Sequence, residues 1–354
     1  MTRMHRLSGL LTTLLLVGAL LSACGSDDDP TATVAQQTPE SSGASLTEVV
    51  VGYVPVLIYA PVILAKEKGY FEAQGLDVTL EPLAGGSDMV VLTANGDYNI
   101  GIGGTGPAYF NAAQRGIDLK IIGPLHFERE PQATPLMVSK ARYDTGELTS
   151  VSDLAGRKVS VNARGATEYW LDTALRTEGL TIEDVDLQTL GFADVPAALE
   201  SGALDAAMLG EPLATQAERN GIAVRLDTDF PANFQPTFIW VNPDFARDHP
   251  DLTTGFMAGM MLGCRDLWSD DWDSDENLAI LNQYTNVPAD LIREAARTYC
   301  EPNGDVSLDD LATLQQFFAD RGLLEYDALL DVETLVDRMF ADRARDEVGS
   351  FEFD

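Results

Sequence analysis

The chain has 354 residues, of which 45% are hydrophobic, and a formal net charge of −33 from 56 acidic and 23 basic side chains. This length allows two domains, and the apolar fraction is sufficient for hydrophobic cores, which excludes a wholly disordered chain. The acidic excess argues against a nucleic-acid partner, because binding to phosphates requires clusters of Lys and Arg.

The first segment is predicted to be an export signal. Arg3 and Arg6 precede an apolar run from residue 10 to residue 21, which is short for a membrane span. The run ends in LSACG at 21–25, which resembles the bacterial lipobox and implies removal of residues 1–23 and lipidation of Cys24. The alternative is an ordinary secretory signal followed by an unrelated cysteine. Lipidation predicts a protein anchored to the cell membrane on its extracytoplasmic face.

Residues 24–47 are predicted to be a flexible tether. The segment is rich in small and polar residues and poor in apolar ones, so it cannot bury enough surface to become ordered. A flexible chain of about 24 residues has a reach of about 25–30 Å. The folded part is therefore expected to stay close to the membrane.

The folded part is predicted to begin at residue 48 with repeated strand–helix units. The β-branched run at 49–51 predicts a buried strand, and Pro61 is placed to begin a helix. Gly69 and Gly75 are typical helix-terminating residues. Further strands are predicted at 76–80, 98–102 and 119–122, and further helices at 88–95 and 107–115. This alternation indicates a parallel sheet covered by helices.

A second set of strands and helices is predicted to follow. Strands are expected at 158–161, 186–190 and 204–208, and helices from about 162–167 to Gly179 and at 195–201. The apolar run at 237–241 is predicted to be a strand that leads out of this second set. From Pro243 the pattern is mainly helical, and these helices are expected to pack back on the first set.

Five segments, taken in order, resemble one protein family. They are AKEKGYFEAQGLDV at 65–78, GGS at 85–87, NGDYNIGIGG at 95–104, SDLAGRKVSV at 152–161 and ALESGALDAAMLGEPLA at 198–214. The family is the extracytoplasmic solute-binding proteins of ABC importers for nitrate, sulfonates, taurine and thiamine-precursor pyrimidines, and it includes riboflavin binders. The resemblance covers residues 48–245.

This resemblance implies an α/β fold of two lobes, the type II periplasmic-binding-protein fold. Each lobe is expected to hold a mixed sheet flanked by helices, with a two-stranded hinge that lets the lobes close on a ligand. The expected organisation is lobe 1 at 48–135, lobe 2 at 136–238, and a return to lobe 1 with C-terminal helices at 239–354. The implied partners are a small-molecule ligand and the permease and ATPase subunits of an importer. No cofactor, metal or catalytic residue is expected.

Ligand-binding residues are expected at the loops after the strands and at the starts of helices, where free N–H groups and aromatic faces are available. In the first lobe the candidates are Tyr53, Pro55, Tyr59, Gly86, Ser87, Gly104, Thr105, Gly106, His126 and Phe127. In the second lobe and near the hinge they are Arg164, Gly165, Ala166, Thr167, Tyr169, Trp170, Glu211 and Trp240. The alternatives are core packing for any one aromatic residue, a surface position for Arg164, and a role in holding the hinge for Glu211.

Two classes of ligand fit these candidates. A sulfonate, taurine or nitrate would use helix starts and the cations Arg129 and Arg164. A heteroaromatic vitamin or precursor, such as a thiamine-type pyrimidine or riboflavin, would use the aromatic faces and the Glu211 carboxylate. The number of aromatic candidates and the shortage of cations favour the heteroaromatic class.

Motifs for catalysis are weak. Residues 101–106 match G-x-G-x-x-G, but they fall in the third strand–helix unit and not in the first, which argues against a dinucleotide site. The sequence contains neither G-x-S-x-G nor H-E-x-x-H. The remaining enzymatic alternative is a relative of the pyrimidine binders that synthesises pyrimidine. Cys264 and Cys300 are expected either to form a disulfide or to be buried thiols.

Overall fold

The computed structural model describes residues 45–83, 85–228 and 230–352. The predicted signal, Cys24 and all of the predicted tether before residue 45 lie outside the described residues. The first strand begins at Thr47, one residue before the predicted start of the folded part. Among the residues described, none of the helices is both long enough and apolar enough to cross a bilayer.

Strands and helices alternate through the first two thirds of the chain, and helices dominate the rest. The strands are β1 (Thr47–Tyr53), β2 (Leu76–Pro82), β3 (Ile100–Gly104), β4 (Lys120–His126), β5 (Leu136–Ser139), β6 (Lys158–Val161), β7 (Asp186–Thr189), β8 (Ala206–Met208), β9 (Ala223–Arg225) and β10 (Thr237–Val241). The helices are α1 (Ala60–Glu67), α2 (Gly86–Asn95), α3 (Pro107–Gln114), α4 (Lys140–Asp144), α5 (Ala166–Thr177), α6 (Val195–Glu200), α7 (Leu213–Arg219), α8 (Pro243–Asp248), α9 (Pro250–Trp268), α10 (Asp275–Thr285), α11 (Ala289–Glu294), α12 (Leu308–Asp320) and α13 (Met339–Val348).

The first sheet has the strand order β2-β1-β3-β10-β4. Strand β1 is parallel to β2 and β3, whereas β10 runs antiparallel between β3 and β4. The sequence-based prediction of a parallel sheet, with residues 237–241 leading out of the second lobe, was therefore wrong. All five residues of β10 are buried, and a continuous apolar strand needs cover on both of its faces, which a central position provides.

The second sheet has the order β7-β6-β8-β5-β9. Strand β6 is parallel to β7 and β8, and β5 runs antiparallel to β8 and β9. The predicted strands at 158–161 and 186–190 are found as β6 and β7, whereas β5 and β9, with four and three residues, were not predicted. Each sheet is mixed and flanked by helices, as the family resemblance implied. The first sheet with its helices is called lobe 1, and the second sheet with its helices is called lobe 2.

The chain crosses between the lobes twice, from β4 to β5 and from β9 to β10. The two crossings are hydrogen-bonded to each other: the Glu128 N–H donates to the Phe234 carbonyl at 3.1 Å, and the Asn233 N–H donates to the Glu128 carbonyl at 2.7 Å. A pair of adjacent extended segments is the connection that the resemblance to two-lobed binding proteins implied. We call this pair the crossover.

The C-terminal helices pack on lobe 1, as predicted. Helix α9 lies against α1 and α13, and the Phe71 and Phe256 rings stack with centroids 4.8 Å apart. A disulfide joins Cys264 on α9 to Cys300, which settles the alternative that the sequence left open. Helix α12 contacts both α3 of lobe 1 and α5 of lobe 2, so the C-terminal region also reaches across the cleft.

Candidate functional site

A narrow pocket lies between the lobes, where the loops that follow several strands meet. Its lining residues are Val54, Ile58, Tyr59, Gly104, His126, Thr134, Asn162, Ala163, Gly165, Ala166, Thr167, Trp170, Phe192, Pro236 and Thr237. We call this space the inner pocket. The volume that the centres of water molecules can occupy is about 40 Å³, which is room for about three waters. Both lobes and both strands of the crossover contribute to its walls.

Tyr59 forms a fixed aromatic wall on the lobe 1 side. It is buried at the start of α1, and its hydroxyl donates to the Ile102 carbonyl at 3.0 Å. Pro61 in the first turn of α1 preorganises this helix start, which holds the tyrosine at the edge of the sheet. Burial raises the pKa of Tyr59 above its ordinary value of 10.0, so the phenol is neutral at physiological pH.

A row of polar groups lies at the crossover side of the pocket. His126 Nδ1 is hydrogen-bonded to Thr237 Oγ1, and these two residues face each other across β4 and β10. His126 Nε2 lies 3.5 Å from Glu128 Oε1, and both side chains are 2% exposed. The other oxygen of Glu128 accepts the Ala133 N–H at 2.9 Å. The row therefore ties the wall of the pocket to the crossover.

The start of α5 forms the lobe 2 wall. Thr167 Oγ1 donates to Asn162 Oδ1 at 2.7 Å, which closes the loop after β6 onto the first turn of the helix. One turn on, Trp170 meets Phe230 and Phe234 edge to face, with centroids 5.8 and 5.3 Å away. These edge contacts fix the orientation of the indole at the pocket.

Three helices begin at glycines beside the cleft. Gly85, Gly106 and Gly165 precede α2, α3 and α5, and within the described part of the chain no side chain caps these helix starts. The first-turn N–H groups of a helix have no partner inside the helix, and the helix dipole makes them attractive to anions. The cleft therefore offers backbone donors in addition to its aromatic walls.

The lobes touch each other at two glycines of lobe 1 beside the cleft, Gly85 and Gly104. A β-carbon on Gly85 would lie 3.0 Å from Cβ of Ala163, and a β-carbon on Gly104 would lie 3.1 Å from Cβ of Ala166. Both distances are tighter than ordinary contacts between β-carbons. The lobe surfaces are thus in close contact beside the inner pocket, which explains why so little space is open there.

A second, larger cavity lies next to the inner pocket, and we call it the outer cavity. Its lining residues are Tyr53, Val54, Pro55, Val56, Pro82, Leu83, Gly191, Phe192, Ala193, Asp194, Leu213, Gln216, Gln283, Tyr284, Thr285, Asn286 and Val287. The volume open to water centres is about 510 Å³. These residues come from lobe 1, lobe 2 and the end of α10.

The structure brings about half of the predicted site residues to these two spaces. The inner pocket is lined by Tyr59, Gly104, His126, Gly165, Ala166, Thr167 and Trp170. The outer cavity is lined by Tyr53 and Pro55. Gly86 and Ser87 begin α2. Thr105 and Gly106 lead into α3, and neither of these two is among the residues that line the two spaces.

Glu211 is a correction to the predicted site, because its carboxylate does not face either cavity. It is fully buried, pairs with Arg225 at 2.5 Å, and accepts the Thr215 N–H at 3.0 Å and the Ala296 N–H at 3.3 Å. A carboxylate with these partners has little capacity left for a ligand. The alternative given for Glu211 was a role in holding the hinge, and the contacts observed join it to Arg225 of β9, Thr215 of α7 and Ala296 after α11.

Trp240 and Phe127 also differ from their predicted positions. Trp240 lies in the centre of the first sheet, fully buried, and stacks on Tyr109 with centroids 5.6 Å apart. It was assigned to the hinge because β10 was taken to lead out of lobe 2. Phe127 stacks on Tyr299 outside both cavities, with centroids 6.2 Å apart.

The two cations considered for an oxyanion are engaged elsewhere. Arg164 has an exposed side chain that pairs with Glu168 at 2.5 Å. The Arg129 guanidinium lies over the rings of Phe127 and Tyr299, 5.2 and 5.1 Å from their centroids. Among the described residues that line the inner pocket there is no Lys, Arg, Asp or Glu.

Several lining residues were not predicted from the sequence, namely Val54, Ile58, Thr134, Asn162, Ala163, Phe192, Pro236 and Thr237. Phe192 follows β7, so the rule that ligands lie at strand ends was sufficient to find it. Thr134, Pro236 and Thr237 belong to the crossover or the start of β10, and their place depends on the non-local pairing of β10 with β3 and β4.

Comparison with known proteins places the chain among binding proteins. Residues 58–270 match the family model described as NMT1/THI5 like. The riboflavin-binding protein RibY of Chloroflexus aurantiacus is 26% identical over 265 residues, covering 72% of this chain and 73% of that protein. A putative aliphatic sulfonates-binding protein of Bacillus subtilis is 25% identical over 298 residues, covering 82% and 86% respectively.

A solved structure supports the fold. The alkanesulfonate-binding protein SsuA from Xanthomonas axonopodis pv. citri, bound to MOPS, is similar with a TM-score of 0.68 at 18% identity, over 82% of this chain and 98% of that chain. At this identity the similarity concerns the arrangement of the two lobes and not the ligand. Because the matching family model spans more than half of the sequence, the protein belongs to the NMT1/THI5-like family.

Proposed function

We propose that this protein is an extracytoplasmic solute-binding protein of an ABC importer, which captures a small molecule between its lobes and delivers it to a membrane permease. The observation that carries the proposal is that the walls of the inner pocket come from both lobes and from the crossover between them. A solute that contacts both walls favours the closed arrangement by its differential affinity for it. The names of the relatives agree with a role in binding.

Opening of the lobes is part of this proposal. In the inner pocket, the centres of water molecules can occupy only about 40 Å³, which is too small a space for a planar ring. We therefore propose that lobe 1, whose sheet includes β10, and lobe 2, whose sheet is built from β5 to β9, move apart about the crossover to admit the solute. Hinged closure of this kind needs only a few residues to change their backbone angles.

The proposed solute is a planar heteroaromatic molecule, of the size of a thiamine-type pyrimidine or a flavin. Tyr59, Trp170 and Phe192 supply aromatic surface, and no Lys or Arg is present among the described lining residues. Because Glu211 does not face the pocket, hydrogen bonds to ring nitrogens and oxygens are assigned to uncharged groups. These groups are the side chains of Asn162, Thr134, Thr167 and Thr237.

A sulfonate is the second candidate, supported by a different observation. The three helices that follow Gly85, Gly106 and Gly165 begin beside the cleft without a side-chain cap, and the first-turn N–H groups of a helix can bind anions without a cationic side chain. Taurine and nitrate belong to the same class. The two candidates differ in what they need: stacking surface in the first, backbone donors in the second.

We propose that the protein is a carrier and not an enzyme. The chemical feature that favours the enzymatic alternative is the row of Thr237, His126 and Glu128, which places a hydroxyl, an imidazole and a carboxylate in sequence. Thr237 and His126 are directly paired on neighbouring strands, so a structural cross-strand contact accounts for this row. Turnover of a bound solute by the purified protein would contradict the proposal.

We also propose that Cys24 is lipidated and anchors the protein on the extracytoplasmic face of the membrane. The proposal rests on the LSACG segment and the polar tether that follows it. In a detergent phase-partition experiment on the full chain expressed in a bacterium, the wild type is expected in the detergent phase and Cys24→Ala in the aqueous phase. Equal partition of both would contradict lipidation.

A thermal-shift panel tests the ligand class. The purified protein is melted with riboflavin, lumiflavin, a thiamine-type pyrimidine, an alkanesulfonate, taurine and nitrate. A solute at about 100 times its dissociation constant stabilises the folded state by about 2.7 kcal/mol. The heteroaromatic compounds are expected to raise the melting temperature. A shift with the sulfonates alone would favour the second candidate, and no shift with any compound would contradict the proposed family of solutes.

A further inference from the structure

The partition between the inner pocket and the outer cavity is made of one residue from each lobe. Val54 follows β1 in lobe 1, Phe192 follows β7 in lobe 2, and both line both spaces. A β-carbon on Gly210 would lie 3.2 Å from Phe192 and 3.3 Å from Val56, so Gly210 allows the two loops to approach each other. Since the partition spans the cleft, separation of the lobes joins the two spaces.

Aromatic rings run without interruption from one space to the other. Tyr59, in the inner pocket, meets Tyr53 edge to face with centroids 6.2 Å apart. Tyr53, in the outer cavity, meets Tyr284 in the same way at 5.9 Å. The hydroxyl of Tyr284 is hydrogen-bonded to Glu67 of α1, which holds the last ring of the row against lobe 1. The inner and outer spaces therefore share one continuous wall.

The chemistry of the outer cavity differs from that of the inner pocket. Gln216, Gln283 and Asn286 bring amide groups, and Asp194 brings an exposed carboxylate. The hydroxyl of Thr285 already donates to the Leu281 carbonyl at 2.9 Å. No Lys or Arg is found among the described residues that line it. Such a surface accepts hydrogen bonds from hydroxyl groups and repels an anionic group. With about 510 Å³ open to water centres, it is also large enough for a substantial part of a solute.

We infer that the captured solute is a two-part molecule, with a planar heteroaromatic ring in the inner pocket and an uncharged, hydroxylated tail in the outer cavity. The inference rests on the proposed function, because it assigns parts of the same solute. The inference distinguishes between members of the heteroaromatic class. A single-ring pyrimidine would leave the outer cavity filled with water, whereas a ring with a polyhydroxyl chain would fill both spaces.

Riboflavin and lumiflavin are a matched pair of probes, because they share the isoalloxazine ring and lumiflavin has a methyl group in place of the ribityl chain. Dissociation constants for both are measured by titration calorimetry on the wild type, on Gln216→Trp and on Glu200→Trp. Gln216 lines the outer cavity, and an indole at this position fills part of it. Glu200 is an exposed residue at the end of α6 in the same lobe, lines neither space, and serves as the control.

The expected result is that the wild type binds riboflavin at least about tenfold more tightly than lumiflavin. Gln216→Trp is expected to lose this preference by weakening riboflavin binding alone, while Glu200→Trp keeps it. Equal affinity of the wild type for both flavins, or a preference that survives in Gln216→Trp, overturns the role of the outer cavity and leaves the proposed carrier function intact. Failure of both flavins to bind overturns the two-part solute, whereas the heteroaromatic assignment is tested separately by the thermal shift with the thiamine-type pyrimidine.

Discussion

Gly106 lies so close to Arg164 that a β-carbon on the glycine would be 2.5 Å from the arginine carbonyl oxygen. Gly106 precedes α3 in lobe 1 and Arg164 precedes α5 in lobe 2, so the contact exists only when the lobes are together. The glycine is required by this approach and not by its backbone angles, because a φ of −144° is open to any residue. The contact is therefore a specific marker of lobe closure.

Gly106→Ala is expected to weaken solute binding by opposing closure. The added methyl group has to displace backbone in lobe 2, and overpacking of this kind costs about 1–3 kcal/mol, or about 5- to 150-fold in affinity. Titration calorimetry with the solute that gives the largest thermal shift measures the change.

Gln114→Ala is the control for this variant. Gln114 is an exposed residue at the end of α3, the helix that Gly106 precedes, and it lines neither cavity. Its affinity is expected to stay close to that of the wild type. Equal affinities of Gly106→Ala and Gln114→Ala would show that binding does not require the lobes to approach as they do here.

Trp170→Ala is expected to weaken binding of a planar solute. The indole is a wall of the inner pocket, and loss of one stacking partner costs about 1–3 kcal/mol. The matched control is Trp272→Ala, because Trp272 lines neither cavity and packs against Arg297 at 5.4 Å. An unchanged dissociation constant for Trp170→Ala would remove this residue from the site, and an equal loss in both variants would point to a general effect on the fold.

Arg225→Ala is expected to destabilise the protein strongly. Glu211 is fully buried, and removal of Arg225 leaves its carboxylate in the interior without a cationic partner. Breaking a buried pair from one side costs about 3–5 kcal/mol of unfolding free energy. Denaturant titration of the free protein measures this loss.

Arg219→Ala is the control for the buried pair. Arg219 is the last residue of α7 and forms an exposed pair with Glu294, in which the side-chain exposures are 49% and 53%. Exposed pairs contribute about 0–1 kcal/mol, so this variant is expected to unfold near the wild-type midpoint. If both variants unfold at the wild-type midpoint, the Glu211–Arg225 pair does not stabilise the folded protein.

Reduction of the Cys264–Cys300 disulfide is expected to lower the unfolding free energy. The bond closes a loop with a sequence separation of 36 residues, and a loop of this length corresponds to about 3–4 kcal/mol in the chain-entropy account. Thermal melting with and without reductant measures the difference. The double variant Cys264→Ser and Cys300→Ser is expected to melt near the reduced wild type and to be insensitive to reductant. A wild type insensitive to reductant would contradict a stabilising bond.

Elements with local signals were predicted well from the sequence. Pro61 identified the start of α1, and Gly69 and Gly75 adopt the positive φ expected of residues that end a helix. The strand at 158–161 has the same bounds in the structure. In each case the information lies within a few residues of the element that it specifies.

Features that depend on distant pairing were not predicted. The local sequence of β10 resembles that of any apolar strand. Only the antiparallel pairing of β10 with β3 and β4 places Trp240 in the core. Glu211 was assigned to the ligand because its partners Arg225 and Ala296 are distant from it in sequence, so no local pattern shows that its charge is already neutralised. The location of the site at the ends of the strands can therefore be predicted from the sequence. The direction in which a side chain points depends on contacts with distant parts of the chain.

Hydrogen exchange with and without solute tests most directly whether one molecule is held between the two lobes. Amide exchange is followed by mass spectrometry in the free protein and at a saturating concentration of the solute that gives the largest thermal shift. The account predicts protection on both sides of the cleft, in the segment 53–59 and the start of α3 in lobe 1, and in the segment 162–170 in lobe 2. Protection confined to one lobe, or to a surface away from both cavities, would contradict capture between the lobes.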